Sequence, residues 1–195
     1  MLKLFYARGA CSLASHIALE ESGADFELEA LDLKAKDQRR PEFLEVNPKG
    51  RVPALVTDRG VLTENPVILG YIAQTHPLAR LADNDDSYAF ADMQAFNLFL
   101  ATSVHVAFAH NTRPERYADG EEAAWAMRLK APAVLAEYFN MIERRFADGR
   151  SYVMGGRYTV ADGYLFVFER WLGRDGLGDL AAYPAVHRHW ARIGA

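Results

Sequence analysis

The chain has 195 residues, half of them apolar and a quarter charged, with a formal net charge of -4 at pH 7. That balance describes an ordinary globular protein with core enough for one or two domains. It leaves no basic field for nucleic acid or an anionic membrane surface, and no apolar run approaches the roughly 20 residues of a membrane span.

The single cysteine rules out an internal disulfide. The opening residues Met1-Leu-Lys-Leu-Phe-Tyr lead straight into a strand pattern and lack the apolar stretch of a leader peptide. A cytoplasmic location is therefore expected.

Residues 1 to 77 alternate strand and helix signals. Leu2-Lys-Leu-Phe-Tyr reads as a strand stopped by Gly9. Ser12 is the expected N-cap of a helix carrying Leu13, Ala14, Ile17, Ala18 and Glu21 at helical spacing, and Gly23 sits where a C-terminal cap belongs. Phe26 to Ala30 alternates as a half-buried strand, its two glutamates turned away from Phe26, Leu28 and Ala30. After the charged stretch Lys34 to Arg40, Pro41 to Val46 predicts a short helix with proline at its start, and Asn47-Pro-Lys-Gly a turn. Val52-Pro-Ala-Leu-Val and Val61-Leu form a predicted hairpin around Asp58-Arg-Gly. Asn65 is the expected N-cap of a further helix, with Pro66 in its first turn. The order β-α-β-α-β-β-α implies an α/β domain on a four-stranded mixed sheet.

After a linker over residues 78 to 86, no strand pattern survives, and residues 87 to 195 read as an all-helical domain. Phe96, Phe99, Leu100, Ser103 and Ala107 mark one face of a long helix. Trp125, Leu129, Leu135, Tyr138, Phe139, Ile142 and Phe146 mark a second, expected to bend at Pro132. Thr159-Val-Ala-Asp is a capping signature, with Asp162 placed to reach back to the first amides. The helix it opens is apolar nearly all round and belongs inside a bundle.

Cys11 lies between the first strand and the first helix. Unpaired amides and the helix dipole favour a thiolate at such a place, whether the protein's own or a ligand's, against the plainer reading of a small core residue. Val52-Pro53 is a strand-entry X-Pro bond; in the cis form it would turn the Val52 amide and carbonyl outward toward a peptide-like ligand. Glu64, just before a helix start, offers a carboxylate to an ammonium group, and the free amides beside it suit a carboxylate. Lys34, Lys36, Lys49 and Arg51 are candidates for a carboxylate at the ligand's other end. His105 shares a predicted helix face with Leu98, Ala101 and Phe108. No metal-ligand spacing is visible among the six histidines, so no metal is expected.

Four ordered segments resemble the glutathione transferases, and among them the bacterial beta class. They are Gly9-Ala-Cys-Ser-Leu-Ala-Ser-His-Ile, Asn47-Pro-Lys-Gly-Arg-Val-Pro-Ala-Leu, Leu62-Thr-Glu-Asn-Pro-Val-Ile-Leu-Gly-Tyr-Ile and Arg157-Tyr-Thr-Val-Ala-Asp-Gly-Tyr-Leu-Phe. The resemblance spans essentially the whole chain. It implies a thioredoxin-like domain followed by a helical bundle, a homodimer, and glutathione as co-substrate with a small hydrophobic electrophile. It implies that Cys11 faces the glutathione sulfur and that Val52, before a cis Pro53, pairs with its cysteinyl backbone. Glu64 and Asn65 would hold the γ-glutamyl head, Lys36 and Arg51 would lie near the glycyl end, and Ala10 and Leu33 would line the same site. His105 corresponds to a histidine near the thiol, and Tyr6 and Ser12 are rival thiolate partners. Phe108, Tyr158 or Trp171 would line the electrophile's pocket.

The chain departs from that pattern at Leu98, where asparagine is usual, at Val106 for lysine, at Arg51 for glutamine or tyrosine, and at Asn65 for serine or glycine. The alternatives to conjugation are a glutaredoxin-like thiol transferase using Cys11, and a non-catalytic binding or regulatory protein of the same fold.

Overall fold

In a computed structural model, all residues Met1–Ala195 are described. The chain divides into two compact units, Met1–Asn97 with Thr159–Val167, and Leu98–Tyr158 with Phe168–Ala195. The first is a thioredoxin-like domain with one helical segment added from late in the sequence, and the second is helical.

In the first unit the order is β1 (Leu2–Tyr6), α1 (Leu13–Ser22), β2 (Phe26–Ala30), α2 (Pro41–Val46), β3 (Ala54–Thr57), β4 (Gly60–Thr63), α3 (Asn65–Thr75) and α4 (Ser87–Phe99), whose last two residues enter the second unit. The sheet order is β2-β1-β3-β4. β1 pairs parallel with β2, as the βαβ crossover requires, and antiparallel with β3, which turns back into β4 with Thr57 opposite Gly60. On one face Phe5 and Ala54 pack against Phe43 of α2, the two phenylalanine rings 5.3 Å apart. Leu4 and Leu55, on the alternate positions, are fully buried, as are Leu19 of α1 and Ile68 and Ile72 of α3.

Two local expectations fail here. Leu28 is exposed rather than turned into the core, because β2 is an edge strand and its outer positions are not covered. Ser12 stands at the N-cap of α1 but makes no capping bond; its hydroxyl is taken by Ala7, as described below. Gly23 does close α1, with φ 68 and its N–H on the Glu20 carbonyl.

The second unit holds a wide turn at Leu100–Val104, α5 (His105–Thr112), α6 (Glu121–Arg145) and α8 (Pro184–Ile193); α7 (Val160–Arg174) begins in the first unit and ends in the second. The single long helix expected over α4 and α5 is interrupted by π-type geometry, in which the His105 N–H reaches the Leu100 carbonyl five residues back. The enlarged turn shifts the helical phase, so Leu98 is exposed, away from the face on which His105 and Phe108 both pack against Phe168 and Trp171. On α6, Leu135, Phe139 and Ile142 are buried, but Trp125 and Leu129 are 62% and 65% exposed. The apolar stripe therefore serves the core only in its second half.

α7 is buried along almost its whole length. Its capping signature forms as expected: the Thr159 N–H and hydroxyl donate to Asp162 Oδ2 at 2.7 and 3.0 Å. Within the second unit, Glu169 Oε1 lies 2.7 Å from His189 Nδ1, both side chains fully buried, and Glu143 accepts from the first amides of α8 at Ala185 and Val186. Neither carboxylate role was visible in the sequence pattern. No helix is long and apolar enough to cross a membrane.

Candidate functional site

The turn after β1 carries Cys11. Ala10 N–H bonds the Ala7 carbonyl and Leu13 N–H bonds the Ala10 carbonyl, coiling the chain into α1. Ser12 Oγ, fully buried, accepts from Ala7 N–H at 3.1 Å and lies 3.3 Å from the Ala7 carbonyl as donor. Its hydroxyl braces the turn from inside, which leaves it committed to backbone. Ala14 N–H bonds the Cys11 carbonyl at 3.1 Å, so fewer amides at this helix start are open than the sequence implies.

Cys11 is 8% exposed, and its Sγ lies 3.7 Å from the Val52 carbonyl as a weak donor. The Val52-Pro53 bond is cis. Val52 stands just before β3, outside the ladder, and its N–H finds no partner within the chain. A strand-like N–H and C=O pair is thus offered beside the only thiol. The buried Asn47 shapes the approach: its Nδ2 donates to the Arg51 carbonyl at 2.7 Å and its Oδ1 accepts from Lys49 N–H. Gly50, with φ 58, is fixed there, since a Cβ would meet the Gln38 carbonyl at 2.8 Å and Arg39 Nη1 at 2.7 Å.

Glu64 sits at the N-cap position of α3 with φ 71, a left-handed conformation unusual for a side-chain-bearing residue. Its carbonyl accepts from Val67 and Ile68, while its carboxylate is ion-paired with Lys49 Nζ at 2.6 Å. Lys49 also donates to Thr63 Oγ1 at 2.9 Å. Lys49 therefore belongs to the Glu64 end, not to the opposite end expected of it. Asn65 is the first residue of α3 rather than its cap. Asn65 Oδ1 accepts from Ser15 Oγ at 2.7 Å, and Nδ2 donates to the Cys11 carbonyl at 3.0 Å. Its backbone N–H has no partner within the chain.

Tyr164 of α7 completes this cluster. It is 1% exposed and its hydroxyl hydrogen-bonds the Asn65 side chain. Burial pushes the phenol well above the usual tyrosine range; Cys11 and Glu64, as negative charges, push the same way, against the bond from Asn65. In the sequence Tyr164 lies within the capping segment and the apolar helix it opens, with no spacing that marks a role at this site.

Tyr6 ends β1 half-buried, its ring 5.7 Å from that of His16. Leu33 and Lys36 lie on the β2–α2 loop, built on Asp32 Oδ1 accepting from Lys34 and Ala35 N–H, with Lys36 exposed at φ 62. Ala10 is half-buried and Arg51 exposed. In the second unit, the His105 ring packs on Trp171 at 5.2 Å and Phe168 at 5.7 Å. Phe108 and Trp171, expected to line the electrophile's pocket, are both buried: Phe108 stacks on Phe168, and Trp171 meets the two rings edge-on. No group of three or more His, Cys, Asp or Glu side chains converges as a metal site.

Comparison with known proteins places these features. Residues 1–74 match the family "Glutathione S-transferase, N-terminal domain" and residues 109–192 the family "Glutathione S-transferase, C-terminal domain". The glutathione S-transferase GstA of Escherichia coli O157:H7 is 37% identical over 189 residues, covering 93% of this chain and 90% of its own. A glutathione transferase homolog from Sulfitobacter, solved with bound glutathione, superposes with a TM-score of 0.93 at 36% identity, covering 100% of this chain and 93% of its own. The bacterial beta class glutathione S-transferase of Sphingomonas chungbukensis does so with a TM-score of 0.84 at 38% identity, covering 98% and 92%.

Proposed function

The chain belongs to the glutathione S-transferase family, and from that premise we propose that it binds glutathione along Val52, Glu64 and Asn65 and activates its thiol for attack on a small apolar electrophile. The observation that carries this reading is the open Val52 N–H and carbonyl next to a cis Pro53, with Cys11 Sγ 3.7 Å from that carbonyl. An extended cysteinyl backbone paired there brings its own sulfur to the start of α1, where the helix dipole favours the thiolate.

The γ-glutamyl head then meets two complementary groups. Its ammonium takes the Glu64 carboxylate, displacing Lys49, and its carboxylate takes the Asn65 N–H. Displacing Lys49 costs little, because both partners of that pair are about half exposed. In the proposed mode Lys36 and Arg51 attract the glycyl carboxylate, with Ala10 and Leu33 beside the peptide. Binding in one orientation next to the electrophile converts a bimolecular encounter into an oriented one.

Ser12 and Tyr6 are the weaker candidates for the thiolate's partner, since the Ser12 hydroxyl is already spent on Ala7 and the Tyr6 ring packs on His16. Cys11 supports a second reading, thiol transfer. Its thiolate would attack the glutathionyl sulfur of a mixed disulfide between glutathione and a substrate thiol, releasing that thiolate; a glutathione thiolate would then attack the Cys11–glutathione disulfide, freeing Cys11 and leaving as glutathione disulfide. Homodimer formation and a cytoplasmic location are part of the same proposal.

Retention on immobilised glutathione tests binding, and failure to bind at millimolar glutathione would sink both enzyme readings. If the protein binds, Cys11→Ala separates them: thiol transfer should disappear, whereas much of a conjugating activity should survive.

A further inference from the structure

We propose that Tyr164 is a positioning residue for this site, holding the Asn65 amide so that it braces the Cys11 loop on one side and leaves the Asn65 N–H open to a ligand on the other. The ligand's identity rests on the glutathione reading above; the bracing of Cys11 does not.

The chemistry of the cluster fixes its direction. The Cys11 carbonyl can only accept, so it must face Asn65 Nδ2, and Oδ1 is then turned to Ser15 Oγ, which donates at 2.7 Å. Asn65 thereby joins α1, through Ser15, to the loop before it, through Cys11. One further amide hydrogen on Nδ2 still requires a partner in a region without water access, since Asn65 and Ser15 are both buried. Tyr164 is the hydroxyl that hydrogen-bonds Asn65 there.

The segment bringing Tyr164 to Asn65 is itself anchored. Val160 N–H bonds the Leu81 carbonyl at 2.9 Å, and the Thr159–Asp162 cap fixes the first turn of α7. Tyr164 lies one helical turn beyond Val160, so the cap sets how deep its hydroxyl reaches. A side chain kept only for packing would serve as well without that hydroxyl, because phenylalanine has the same ring. Removing the oxygen leaves a buried donor on Asn65 without its bond, and a partly satisfied buried network loosens as a unit.

A serine at position 65, the residue the family pattern favours, is too short to span Ser15, Cys11 and Tyr164 at once. This chain's asparagine, together with Tyr164, supplies that brace from within the protein.

The test uses the full-length protein and two readouts, the rate of Cys11 alkylation by iodoacetamide at pH 8 and the Kd for glutathione by calorimetry. Y164F should speed alkylation by about fivefold and weaken glutathione by about fivefold, the effect of one lost buried hydrogen bond. Y183F, a buried tyrosine of the other unit, should change neither. Because the residues act together, N65A/Y164F should match N65A within about twofold rather than multiply the single effects.

Y164F with wild-type alkylation and wild-type Kd overturns the proposal, as do multiplicative effects in the double variant. Should Y164F not fold, N65A alone decides it, since wild-type alkylation in N65A also overturns it. Alkylation needs no glutathione, so a wild-type protein that fails to bind glutathione counts against the functional reading, and an unchanged alkylation rate counts against Tyr164.

Discussion

Glu64 combines a backbone conformation that disfavours any side chain with a carboxylate that the fold uses only for an exposed ion pair. Replacing it by glycine and by glutamine separates the two properties. A left-handed conformation at a non-glycine residue costs on the order of 1–3 kcal/mol. Glycine removes that cost but returns roughly 0.5–1 kcal/mol through a more flexible unfolded chain, and loses the Lys49 pair, worth about 0–1 kcal/mol at this exposure. At the middle of these ranges Glu64→Gly is therefore expected to be more stable than the parent by about 1 kcal/mol, raising Tm by roughly 2–4 °C for a chain of this size. Glu64→Gln keeps φ 71 but also loses the Lys49 pair, and should lower Tm by no more than roughly 2–4 °C.

Both variants lose the carboxylate that meets the ligand's ammonium. A charge-assisted hydrogen bond contributes about 1.5–3 kcal/mol, less the Lys49 pair that binding displaces, so the glutathione Kd should rise by roughly 5- to 30-fold in each. Thermal melts and isothermal titration calorimetry at pH 7 measure the two effects on the same samples. Glu64→Gly less stable than the parent by more than about 1 kcal/mol, or Glu64→Gln with the parent Kd, would refute the reasoning.

Lys49→Gln frees Glu64 from its competitor and should tighten glutathione by up to about fivefold, most clearly at low salt, by the same calorimetry. Gly50→Ala combines a positive φ with a Cβ 2.8 Å from the Gln38 carbonyl; it should lower stability by about 1–3 kcal/mol in urea melts and weaken glutathione through the displaced Lys36 loop. Asp162→Ala removes the acceptor of the Thr159 N–H and hydroxyl at the start of α7, and should destabilise by about 1–2 kcal/mol with Kd rising as Tyr164 loses its anchor.

The strands, the Gly23 cap, the proline-led α2 and the Thr159–Asp162 cap were all legible, because each depends on residues within one turn or one alternation of the chain. So were the positions of Cys11, Val52-Pro53 and Glu64 at the ends of elements. What escaped depends on distant partners. Ser12 and Asn65 both read as caps, since a hydroxyl or amide at a helix start usually bonds locally; instead Ser12 reaches back to Ala7 and Asn65 across to Ser15, Cys11 and Tyr164. The wide turn at Leu100–Val104 left no mark in the apolar spacing, and it took Leu98 off the face that His105 and Phe108 still share. Lys49 was assigned to the wrong end because only the folded hairpin brings it against Glu64.

A crystal structure of the protein with glutathione tests the central claim most directly. The account predicts the cysteinyl N–H and carbonyl paired with Val52, the ammonium on Glu64 with Lys49 swung away, and the glutathione sulfur closer to Cys11 Sγ than to Ser12 or Tyr6. Glutathione bound elsewhere, or bound here with Lys49 still on Glu64 and its sulfur turned from Cys11, would contradict it.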